Sequence, residues 1–443
     1  MESDQPSIRT TGMHLAVIGS GYVGTTLGAC MADIGHRVTT VDIDEEVVNT
    51  LNAGEAPIHE PGLAPLIASN AGDRLTATTD YADIATADLI FVAVQTPSRE
   101  DGSIDVSALS AAVRQAANTL VQQGKRDDGY VIVIKSTVTP PHLRDLSRIV
   151  EEVAAESDFE IELASNPEFL REGTAVTDFN KPDKIVFGAQ SDSAADRLYE
   201  AFDPIIQSAD PHVIITDPET ASMIKYANNA FLAAKISLIN DIGNICKEFG
   251  IDAYEVAEAI GTDARIGAQF LRSGVGFGGS CFPKDVRAIY AAGADAGYGS
   301  PMLEATLEVN DIQPARLLAL LEKHVDPDGT RIAVLGLAFK PGTDDIRESR
   351  AIPVIEGLQK RGAEVVAYDP VAIDAMRARF PEIAYATSAA DALEGAEAAV
   401  VVTDWDEFAA LDEAFDRMSR PVVIDGRRIV QRRDGITYEG ITW

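Results

Sequence analysis

The stretch HLAVIGSGYVG, residues 14–24, decides the fold that this sequence predicts. Its first five residues are mostly apolar, which is typical of a short buried strand, and the glycines that follow have the spacing GxGxxG. Residues 25–34 can form a helix, and RVTTV at 37–41 has the pattern of a second strand that ends next to Asp42. Strand, glycine turn, helix and strand in this order predict a doubly wound α/β domain with a parallel sheet.

The glycine turn and the acid after the second strand also predict a ligand. Glycines let the backbone approach a pyrophosphate at a helix N-terminus, and a carboxylate at this strand end accepts hydrogen bonds from a ribose diol. Because Asp42 would repel a 2′-phosphate, the pattern favours NAD over NADP. The expected cofactor contacts are Gly19, Gly21, Tyr22, Val23, Gly24 and Asp42.

Two more buried strands are predicted at LIFVAV, residues 89–94, and YVIVI, residues 130–134. Ligands of doubly wound sheets bind outside the carboxyl ends of the strands. Thr96 and Thr137 follow these strands and are therefore placed to contact cofactor or substrate. The alternative is that each threonine caps the next helix.

The opening pattern recurs near the end of the chain. RIAVLG at 331–336 and AEVVAYD at 363–369 repeat the two strands, the first glycine and the acid, so we expect a second, degenerate Rossmann-like domain. Lys340, next to an aromatic residue, suits a nucleotide phosphate and base, and Arg427 and Arg428 after the last strand can donate to a phosphate. Two such domains indicate two ligands, a dinucleotide and a nucleotide-bearing substrate.

Between these domains, GFGGSCFPKD at 276–285 places a cysteine after a glycine-rich loop. If a helix starts near Phe282, as Pro283 in a first turn suggests, Cys281 lies at its N-terminus. There the helix dipole and the ammonium of Lys284 lower the pKa of a thiol, which would give a reactive thiolate. The alternative is a buried cysteine that packs as a small apolar side chain.

A long helix is predicted from Glu219 to Phe249, and Lys225 and Asn229 share one of its faces because they are four residues apart. An ammonium and a carboxamide on one face can stabilise an oxyanion, although an ordinary polar face is the alternative. A long helix between two sheet domains is also a natural dimer surface.

The segment SNPEFLREG at 165–173 carries two acids four residues apart, Glu168 and Glu172. On a helix they would share a face. Two carboxylates near one site can order a water or act as a base, and a solvated pair of acids is the alternative.

We expect four segments along the chain. They are a flexible N-terminal extension at 1–12, an NAD-binding Rossmann-like domain at 13–212, a central helical dimerisation region with the cysteine at 213–322, and a C-terminal Rossmann-like domain at 323–443. The first segment is polar and acidic, unlike a signal peptide, and no apolar run approaches the ~18 residues of a membrane span. These features predict a soluble cytoplasmic protein.

The charge of the chain excludes some partners. With 70 acidic and 37 basic residues the net charge is −33, and the acids are spread along the whole sequence. We interpret this as a hydrated surface suited to high salt, as in a halophile, and an acidic patch for a basic partner is the alternative. Nucleic acid is not expected as a partner. The three cysteines form neither a disulfide framework nor a zinc spacing, so we expect no metal.

Nine motifs resemble the UDP-glucose/GDP-mannose dehydrogenase family, and its UDP-glucose branch most closely. They occur in order and cover nearly everything after residue 12: GSGYVG at 19–24, PIHEPGL at 57–63, TPSREDGSID at 96–105, KSTV at 135–138, SNPEFLREG at 165–173, KYANNAFLAAKIS at 225–237, GFGGSCFPKD at 276–285, GLAFKPGTDDIRES at 336–349 and DGRR at 425–428. Phe282 favours UDP-glucose, since GDP-mannose relatives resemble SCLPKD at this place.

The resemblance implies a reaction. The C6 alcohol of UDP-glucose would be oxidised twice, with two NAD⁺, to the carboxylate of UDP-glucuronate. Cys281 would add to the intermediate aldehyde, and the second oxidation would give a thioester that water hydrolyses. Lys225 and Asn229 would stabilise the oxyanion.

The resemblance also implies roles for other residues. Asp285, Glu168 and Thr137 would act on the proton and on the ordered water. On the cofactor side the implied contacts are Thr96, Thr137, Glu172, Lys284 and Arg347. On the sugar-nucleotide side they are Glu168, Phe169, Leu170, Lys225, Asn229, Arg272, Gly276, Phe277, Gly278, Phe339, Lys340 and one of Arg427 and Arg428. Arg265 matches an arginine that reaches the sugar nucleotide from the neighbouring subunit, which implies at least a homodimer.

Several alternatives stay open at this point. A sister enzyme would act on GDP-mannose or a UDP-N-acetylhexosamine. A non-catalytic nucleotide sensor could use the same fold, since fold does not imply function. A two-electron dehydrogenase would leave Cys281 with a structural role. For the leading interpretation, the product would supply nucleotide-sugar precursors for surface glycans or polysaccharide.

Overall fold

The computed structural model describes residues 12–123, 128–155 and 157–443. The chain forms two compact units that divide between Ala227 and Asn228. The predicted flexible extension at 1–12 lies, apart from Gly12, outside the described residues. The domain boundaries near 212 and 322 stay a prediction.

Within the described residues, the first unit contains one sheet of eight strands. They are β1 (His14–Ile18), β2 (Arg37–Val41), β3 (Leu75–Thr78), β4 (Leu89–Val92), β5 (Tyr130–Ile134), β6 (Ile161–Ser165), β7 (Lys184–Gly188) and β8 (His212–Thr216). Their order in the sheet is β3-β2-β1-β4-β5-β6-β7-β8. Neighbouring strands are parallel except β6 and β7, which meet antiparallel at Ser165 and Gly188. The inner strands β4 and β5 are buried along their whole length, as expected where helices cover both faces of a parallel sheet.

Helices connect these strands. They are α1 (Tyr22–Asp33), α2 (Glu45–Asn52), α3 (Leu63–Asn70), a 3₁₀ helix at Tyr81–Thr86, α4 (Ser107–Gln123), α5 (Pro140–Ala154), α6 (Ala175–Asn180), α7 (Asp192–Ala209) and α8 (Pro218–Glu248). The core includes Phe202 of α7, whose ring packs edge-on or tilted against Phe91, Phe179 and Phe187. Helix α8 has 31 residues and continues into the second unit, one residue earlier at each end than the sequence predicts.

The second unit contains a six-stranded sheet in which all paired neighbours are parallel. Its strands are β9 (Arg331–Leu335), β10 (Glu364–Tyr368), β11 (Ala384–Tyr385), β12 (Ala398–Val401), β13 (Val422–Asp425) and β14 (Thr437–Gly440), in the order β11-β10-β9-β12-β13-β14. Its helices are α9 (Ala253–Gly261), α10 (Phe282–Asp295), α11 (Pro301–Glu322), α12 (Ala351–Gln359), α13 (Ile373–Arg379), α14 (Ala389–Leu393), a 3₁₀ helix at Asp406–Ala410 and α15 (Asp412–Phe415).

The two sheets repeat one topology. In each, the first strand lies between the second strand and the fourth, so β2-β1-β4 corresponds to β10-β9-β12. This reversal of strand order is the switch point at which doubly wound sheets bind ligands. The predicted fold, two Rossmann-like parallel-sheet domains joined by a long helix, is confirmed. Among the described residues, no helix combines the length and the apolar composition needed to cross a membrane.

Candidate active site

The glycine turn after β1 has the geometry that its spacing predicts. Gly19 has a φ of +95°, and a Cβ on Gly24 would lie 1.8 Å from the carbonyl oxygen of Gly19. A Cβ on Gly21 would meet its nearest neighbour only at 3.9 Å, so the space beside this residue is open. Gly21 is the N-cap of α1 and has no capping side chain, which leaves N–H groups of the first helical turn for an anion.

Asp42 follows β2 and reaches the glycine turn. Its Oδ2 accepts a hydrogen bond from the Ser20 N–H at 2.5 Å, and its Oδ1 accepts one from the Asp44 N–H at 3.0 Å. The side chain is half-buried, so the carboxylate is oriented and still accessible. A ribose diol fits such an acceptor. Of the other predicted cofactor residues, Val23 packs against the core, and the hydroxyl of Tyr22 donates a hydrogen bond to Glu60.

Thr96 and Thr137 come together after β4 and β5. The Thr96 hydroxyl donates to the carbonyl oxygen of Thr137 at 2.9 Å. The alternative, that they cap the next helices, is wrong: α4 begins at Ser107, and the N-cap of α5 is Thr139.

Glu168 is buried and ion-paired. Its Oε1 accepts from Lys225 Nζ at 2.9 Å, and its Oε2 accepts from the Leu170 N–H at 2.6 Å. A solvated pair of acids is therefore the wrong interpretation for Glu168, which is 8% exposed. The segment after β6 is also not helical, so Glu168 and Glu172 do not share a helix face.

The charges around Glu168 keep it ionised. Burial raises the pKa of its carboxyl, but the ammonium of Lys225, its hydrogen bonds and the ammonium of Lys135 outweigh burial and leave the pKa below its usual value. Phe169 lies beside the pair, with Lys184 Nζ 4.2 Å and Lys225 Nζ 5.5 Å from the centroid of its ring. The first unit thus brings together four predicted substrate residues, Glu168, Phe169, Leu170 and Lys225.

In the second unit, Cys281 is the N-cap of α10, as the sequence predicts. Its thiol is partly exposed, and its Sγ lies 3.5 Å from the Ser280 hydroxyl oxygen. A helix N-terminus favours the thiolate over the thiol. Cys30 differs, because burial in the first unit raises the pKa of its thiol to about 12. The interpretation of Cys281 as a fully buried cysteine is therefore wrong, whereas Cys30 and Cys246 are buried.

Asp285 lies one turn into α10 and is almost fully buried, with 1% exposure. Its Oδ2 accepts from Asn229 Nδ2 at 2.7 Å, and its Oδ1 accepts from Lys284 Nζ at 2.8 Å. The bond from Asn229 ties α8 to the helix that begins at Cys281. Asn229 therefore has a buried carboxylate as a partner and is not part of an ordinary solvated polar face.

The loop before Cys281 contacts the degenerate glycine turn of the second sheet. The Gly279 N–H donates to the carbonyl oxygen of Arg347 at 2.9 Å, and a Cβ on Gly279 would lie 2.7 Å from the ring of Phe339. A Cβ on Gly278 would also collide with the backbone, 2.3 Å from the Glu348 carbonyl oxygen. Lys340 Nζ lies 5.5 Å from the centroid of the Phe339 ring. The side chain of Arg347 is paired with Asp345.

The predicted arginines do not act as one cluster. Arg427 is half-buried and donates to the Val402 carbonyl oxygen at 2.7 Å, whereas Arg428 pairs with Asp252 at 2.7 Å and stacks on Tyr254. The guanidinium groups of Arg427 and Arg428 therefore have different partners and do not point together at one place where a phosphate could bind both. Arg272 is exposed and lies 3.8 Å from Asp404. Arg265 is 89% exposed and pairs with Asp263.

Three family models match consecutive parts of the chain. The NAD binding domain of the UDP-glucose/GDP-mannose dehydrogenase family matches residues 13–206, its central domain matches 219–312, and its UDP binding domain matches 333–432. The chain belongs to the UDP-glucose/GDP-mannose dehydrogenase family.

Relatives within this dehydrogenase family are similar over almost the whole chain. UDP-glucose 6-dehydrogenase AglM of Haloferax volcanii is 57% identical over 97% of this chain and 100% of its own length. The structure of a UDP-glucose dehydrogenase from Pyrobaculum islandicum has a TM-score of 0.90 at 37% identity, covering 98% of this chain and 99% of that chain. The structure of a UDP-D-ManNAc dehydrogenase from Pyrococcus horikoshii has a TM-score of 0.85 at 27% identity, covering 97% and 99%.

Membership of this dehydrogenase family confirms two predictions. The chain is an NAD-dependent oxidoreductase, and its C-terminal domain is a UDP-binding domain. The first unit fits NAD on its own geometry: the open face of Gly21, the uncapped start of α1 and the oriented carboxylate of Asp42 match a pyrophosphate and a ribose diol.

Glu60 supports the dehydrogenase site, although it is not among the site residues that the sequence predicts. Glu60 is 5% exposed, and besides the Tyr22 hydroxyl it accepts from the N–H groups of Gly173 at 2.8 Å and Ala175 at 2.7 Å. It thus joins the NAD fingerprint to the loop that carries Glu172. The signal for Glu60 in the sequence is an acid between two prolines in the motif PIHEPGL at 57–63.

Buried carboxamides support the cysteine loop in the same way. Asn240 of α8 accepts from the Gly274 N–H at 2.7 Å, and Gln313 of α11 donates to the Gly274 carbonyl oxygen at 2.7 Å. Asn310 accepts from the Phe277 N–H at 2.7 Å and donates to the Phe277 carbonyl oxygen. No pattern in the sequence distinguishes these residues from surface amides, because their partners are far along the chain.

Proposed function

We propose that this protein oxidises UDP-glucose at C6 to UDP-glucuronate in two NAD-dependent steps, with Cys281 as the nucleophile that retains the intermediate. The observation that carries this proposal is the position of Cys281, a partly exposed thiol at the N-terminus of α10 with the buried Asp285–Asn229 pair one turn away. The likeness to UDP-glucose 6-dehydrogenases over the whole chain supports UDP-glucose as the substrate.

The first unit would hold NAD through the Gly19–Gly24 turn and Asp42, with Thr96, Thr137 and Glu172 beside it. Bound NAD supplies the hydride acceptor for both oxidations. Lys284 and Arg347 are further proposed contacts on the cofactor side. The loop at 272–278, Phe339, Lys340 and one of Arg427 and Arg428 would hold the UDP-sugar.

The thiolate of Cys281 is the nucleophile that forms the covalent intermediates. After the first oxidation its Sγ bonds to the aldehyde carbon, and the carbonyl oxygen takes a proton to complete a thiohemiacetal. The second oxidation turns this into a thioester. Water then attacks the thioester carbon, the C–S bond breaks, and the thiolate is restored with the carboxylate product.

The remaining side chains act on charge and protons. Lys225 and Asn229, one turn apart on α8, stabilise the oxyanion at C6. Asp285 and Glu168 act on the protons of the hydroxyl and the water, and Thr137 orders the water. The product is an activated uronic acid, the form that a glycosyltransferase consumes, which supports a role in supplying surface glycans or polysaccharide.

A second copy of the chain is part of the proposal. Phe231, Leu238 and Ile245 lie seven residues apart on one face of α8 and are 70%, 60% and 51% exposed. An apolar stripe of this kind marks an association surface, and a homodimer would bury it. The exposed Arg265 would then reach the sugar nucleotide of the neighbouring subunit. Light scattering on the purified protein gives the mass that tests this.

The test of the reaction counts NADH. With limiting UDP-glucose, excess NAD⁺ and high salt, we expect two NADH for each UDP-glucose, and GDP-mannose and UDP-N-acetylglucosamine are run beside it. If GDP-mannose or UDP-N-acetylglucosamine gave two NADH and UDP-glucose gave none, the mechanism would stand and the substrate would be that other sugar nucleotide. One NADH from any of them would mean a simple dehydrogenase, and NADH from none would favour the sensor.

Variants of two cysteines then isolate the nucleophile. Cys281→Ser removes the thiolate, so it should bind UDP-glucose and fail to complete the double oxidation. Cys246→Ser is the matched control, because Cys246 is a buried free cysteine of the same unit. Full two-step turnover by Cys281→Ser would contradict the mechanism.

A further inference from the structure

Lys135 is a buried lysine that the proposed reaction does not use. It follows β5 and is 6% exposed. Its Nζ donates to Asn166 Oδ1 at 2.8 Å and lies 5.8 Å from the centroid of the Phe202 ring. An ammonium carries three donors. In the part of the chain that the structure describes, Asn166 is the one hydrogen-bond acceptor found for them, so Lys135 is an expensive group to bury there.

Asn166, the partner of Lys135, is fixed by hydrogen bonds of both its backbone and its side chain. Its backbone N–H donates to the Ile134 carbonyl oxygen at 3.0 Å, and its Nδ2 donates to the Val186 carbonyl oxygen at 2.9 Å. With Oδ1 bound to Lys135, the side chain has one orientation. Because Asn166 begins the loop that carries Glu168, the ammonium of Lys135 fixes the root of that loop to β5.

Lys135 also belongs to the charge cluster around Glu168. The charged groups that face Glu168 are Lys225, to which it is bonded, and Lys135, and Lys184 lies across the ring of Phe169. Burial lowers the pKa of Lys135 to about 8, while Glu168 opposes this fall and Lys225 adds to it. One carboxylate is therefore buried with two ammonium groups.

We infer that Lys135 is a positioning residue for hydrolysis of the thioester, which orients the Glu168 loop through Asn166 and leaves the cluster positively charged when Glu168 takes a proton. This rests on the proposed function. In the step, the water oxygen bonds to the thioester carbon, one water proton passes to the Glu168 carboxylate, the C–S bond breaks, and Cys281 leaves as thiolate. Nothing is oxidised or reduced.

The charge count explains why a second lysine is useful. Before the step, Glu168 is negative and the two lysines are positive. When Glu168 becomes neutral, the ammonium groups of Lys225 and Lys135 remain while an oxyanion forms on the substrate. Preorganised positive charge in a water-poor site stabilises such an oxyanion.

The test compares Lys135→Met with Lys135→Gln and Lys181→Met in the full-length protein. Methionine removes both the charge and the donor, glutamine keeps an N–H donor without the charge, and the exposed Lys181 is a matched loss of one charge in the same unit. The readouts are rapid-mixing NADH traces, trapping of the acyl-enzyme with hydroxylamine, and the pH profile of kcat.

For Lys135→Met we expect a burst of two NADH per subunit, then turnover at least about tenfold slower than wild type, with trappable thioester on Cys281. Removing a cation raises the pKa of Glu168, so the acid limb of kcat should move to higher pH, by about one unit. The alkaline limb that reports loss of the Lys135 proton near pH 8 should disappear. Lys135→Gln should show the same pH shift with a smaller loss of rate, and Lys181→Met should match wild type.

Wild-type stoichiometry separates this inference from the proposed function. If wild type does not form two NADH per UDP-glucose, the proposed function fails first. If wild type forms two, and either Lys135 variant shows no burst and an unshifted acid limb, the inference about Lys135 is overturned. Should Lys135→Met fail to fold, Lys135→Gln alone decides between these results.

Discussion

The two Rossmann-like sheets place the same residue type at the same position and use it differently. Gly19 and Gly336 make the same turn after the first strand, with φ of +95° and +93°, and Asp42 and Asp369 each follow the second strand. Asp42 is half-buried and accepts two backbone hydrogen bonds. Asp369 is fully buried, with 0% exposure.

The carboxylate of Asp369 is saturated by its own domain. It accepts from the N–H groups of Leu337 at 2.7 Å, Ala338 at 3.0 Å, Val371 at 3.0 Å and Ala372 at 2.9 Å, and from the indole N–H of Trp405 at 3.0 Å. No acceptor capacity faces outward for a ribose. The same acid is thus a structural anchor in the second sheet, whereas in the first sheet it stays accessible and is the proposed acceptor for the cofactor ribose.

The largest expected effect comes from removing the anchor. Asp369→Ala leaves four backbone N–H groups and the Trp405 indole without acceptors in a buried place. Each such orphan costs about 1–3 kcal/mol, so we expect the second unit to lose more than about 4 kcal/mol of its free energy of unfolding. Urea unfolding followed by tryptophan fluorescence measures this, because both tryptophans, Trp405 and Trp443, lie in this unit.

The control for Asp369→Ala is the same change in the other sheet. Asp42→Ala removes an acceptor from only two backbone N–H groups, those of the buried Ser20 and the exposed Asp44, so it should lower the free energy of unfolding by no more than about 1–2 kcal/mol. Equal destabilisation by the two variants would contradict the proposed division of roles.

Asp42→Ala should instead weaken cofactor binding. Hydrogen bonds to a charged acceptor contribute about 1.5–3 kcal/mol, so we expect the Kd for NADH to rise roughly 10- to 100-fold, and discrimination against NADP should fall. Titration of NADH fluorescence measures both. Asp369→Asn, a change in the other sheet that keeps one of the two acceptor oxygens, is the comparison and should leave NADH binding by the first unit unchanged. An unaltered Kd in Asp42→Ala would remove Asp42 from the cofactor site.

This comparison also shows what local sequence can predict. The glycine turn, Asp42 and the start of α10 at Cys281 were predictable because each depends on neighbours within one strand, turn and helix. The burial of Glu168 was not, since its partner Lys225 lies 57 residues away. The burial of Asp369 could not be predicted for the same reason, because its partner Trp405 is 36 residues away. The spacing of apolar residues predicts which face of a helix or strand is buried. It does not predict the partner of a buried polar group, because that partner depends on the tertiary fold.

The stability of the two units should also respond differently to salt, and this difference is smaller than the effects of the aspartate variants. The first 227 residues hold 36 acidic and 15 basic residues, whereas the other 216 hold 34 acidic and 22 basic residues. Self-repulsion is therefore stronger in the first unit, and it grows as screening is removed. Lowering salt from molar to about 0.1 M should destabilise the first unit more, by a difference on the order of 1 kcal/mol. NADH binding reports the first unit and tryptophan fluorescence the second; a flat response of both would refute the halophilic interpretation.

Mild acid should produce the smallest difference, and it depends on two histidines of the first sheet. His36 accepts from the Met13 N–H at 3.1 Å and donates to the Ala201 carbonyl oxygen at 2.8 Å, which fits a neutral ring. Burial lowers the pKa of His36 and also that of His14, the half-buried first residue of β1. The corresponding places in the second sheet are Arg331 and Ala363, so neither carries an imidazole.

The sign of the acid effect follows from where these protons bind. The unfolded chain binds them near pH 6.5, and the folded chain resists them until lower pH, so the stabilisation is complete above pH 6.5 and falls as pH drops below it. Between pH 7 and 5 we expect the first unit to lose up to about 1 kcal/mol more than the second, measured by NADH retention and tryptophan fluorescence in urea at constant molar salt. His36→Gln, which keeps a donor for Ala201, should flatten this slope. The same slope in wild type and variant would assign the acid sensitivity to carboxylates, which titrate lower and occur in both sheets.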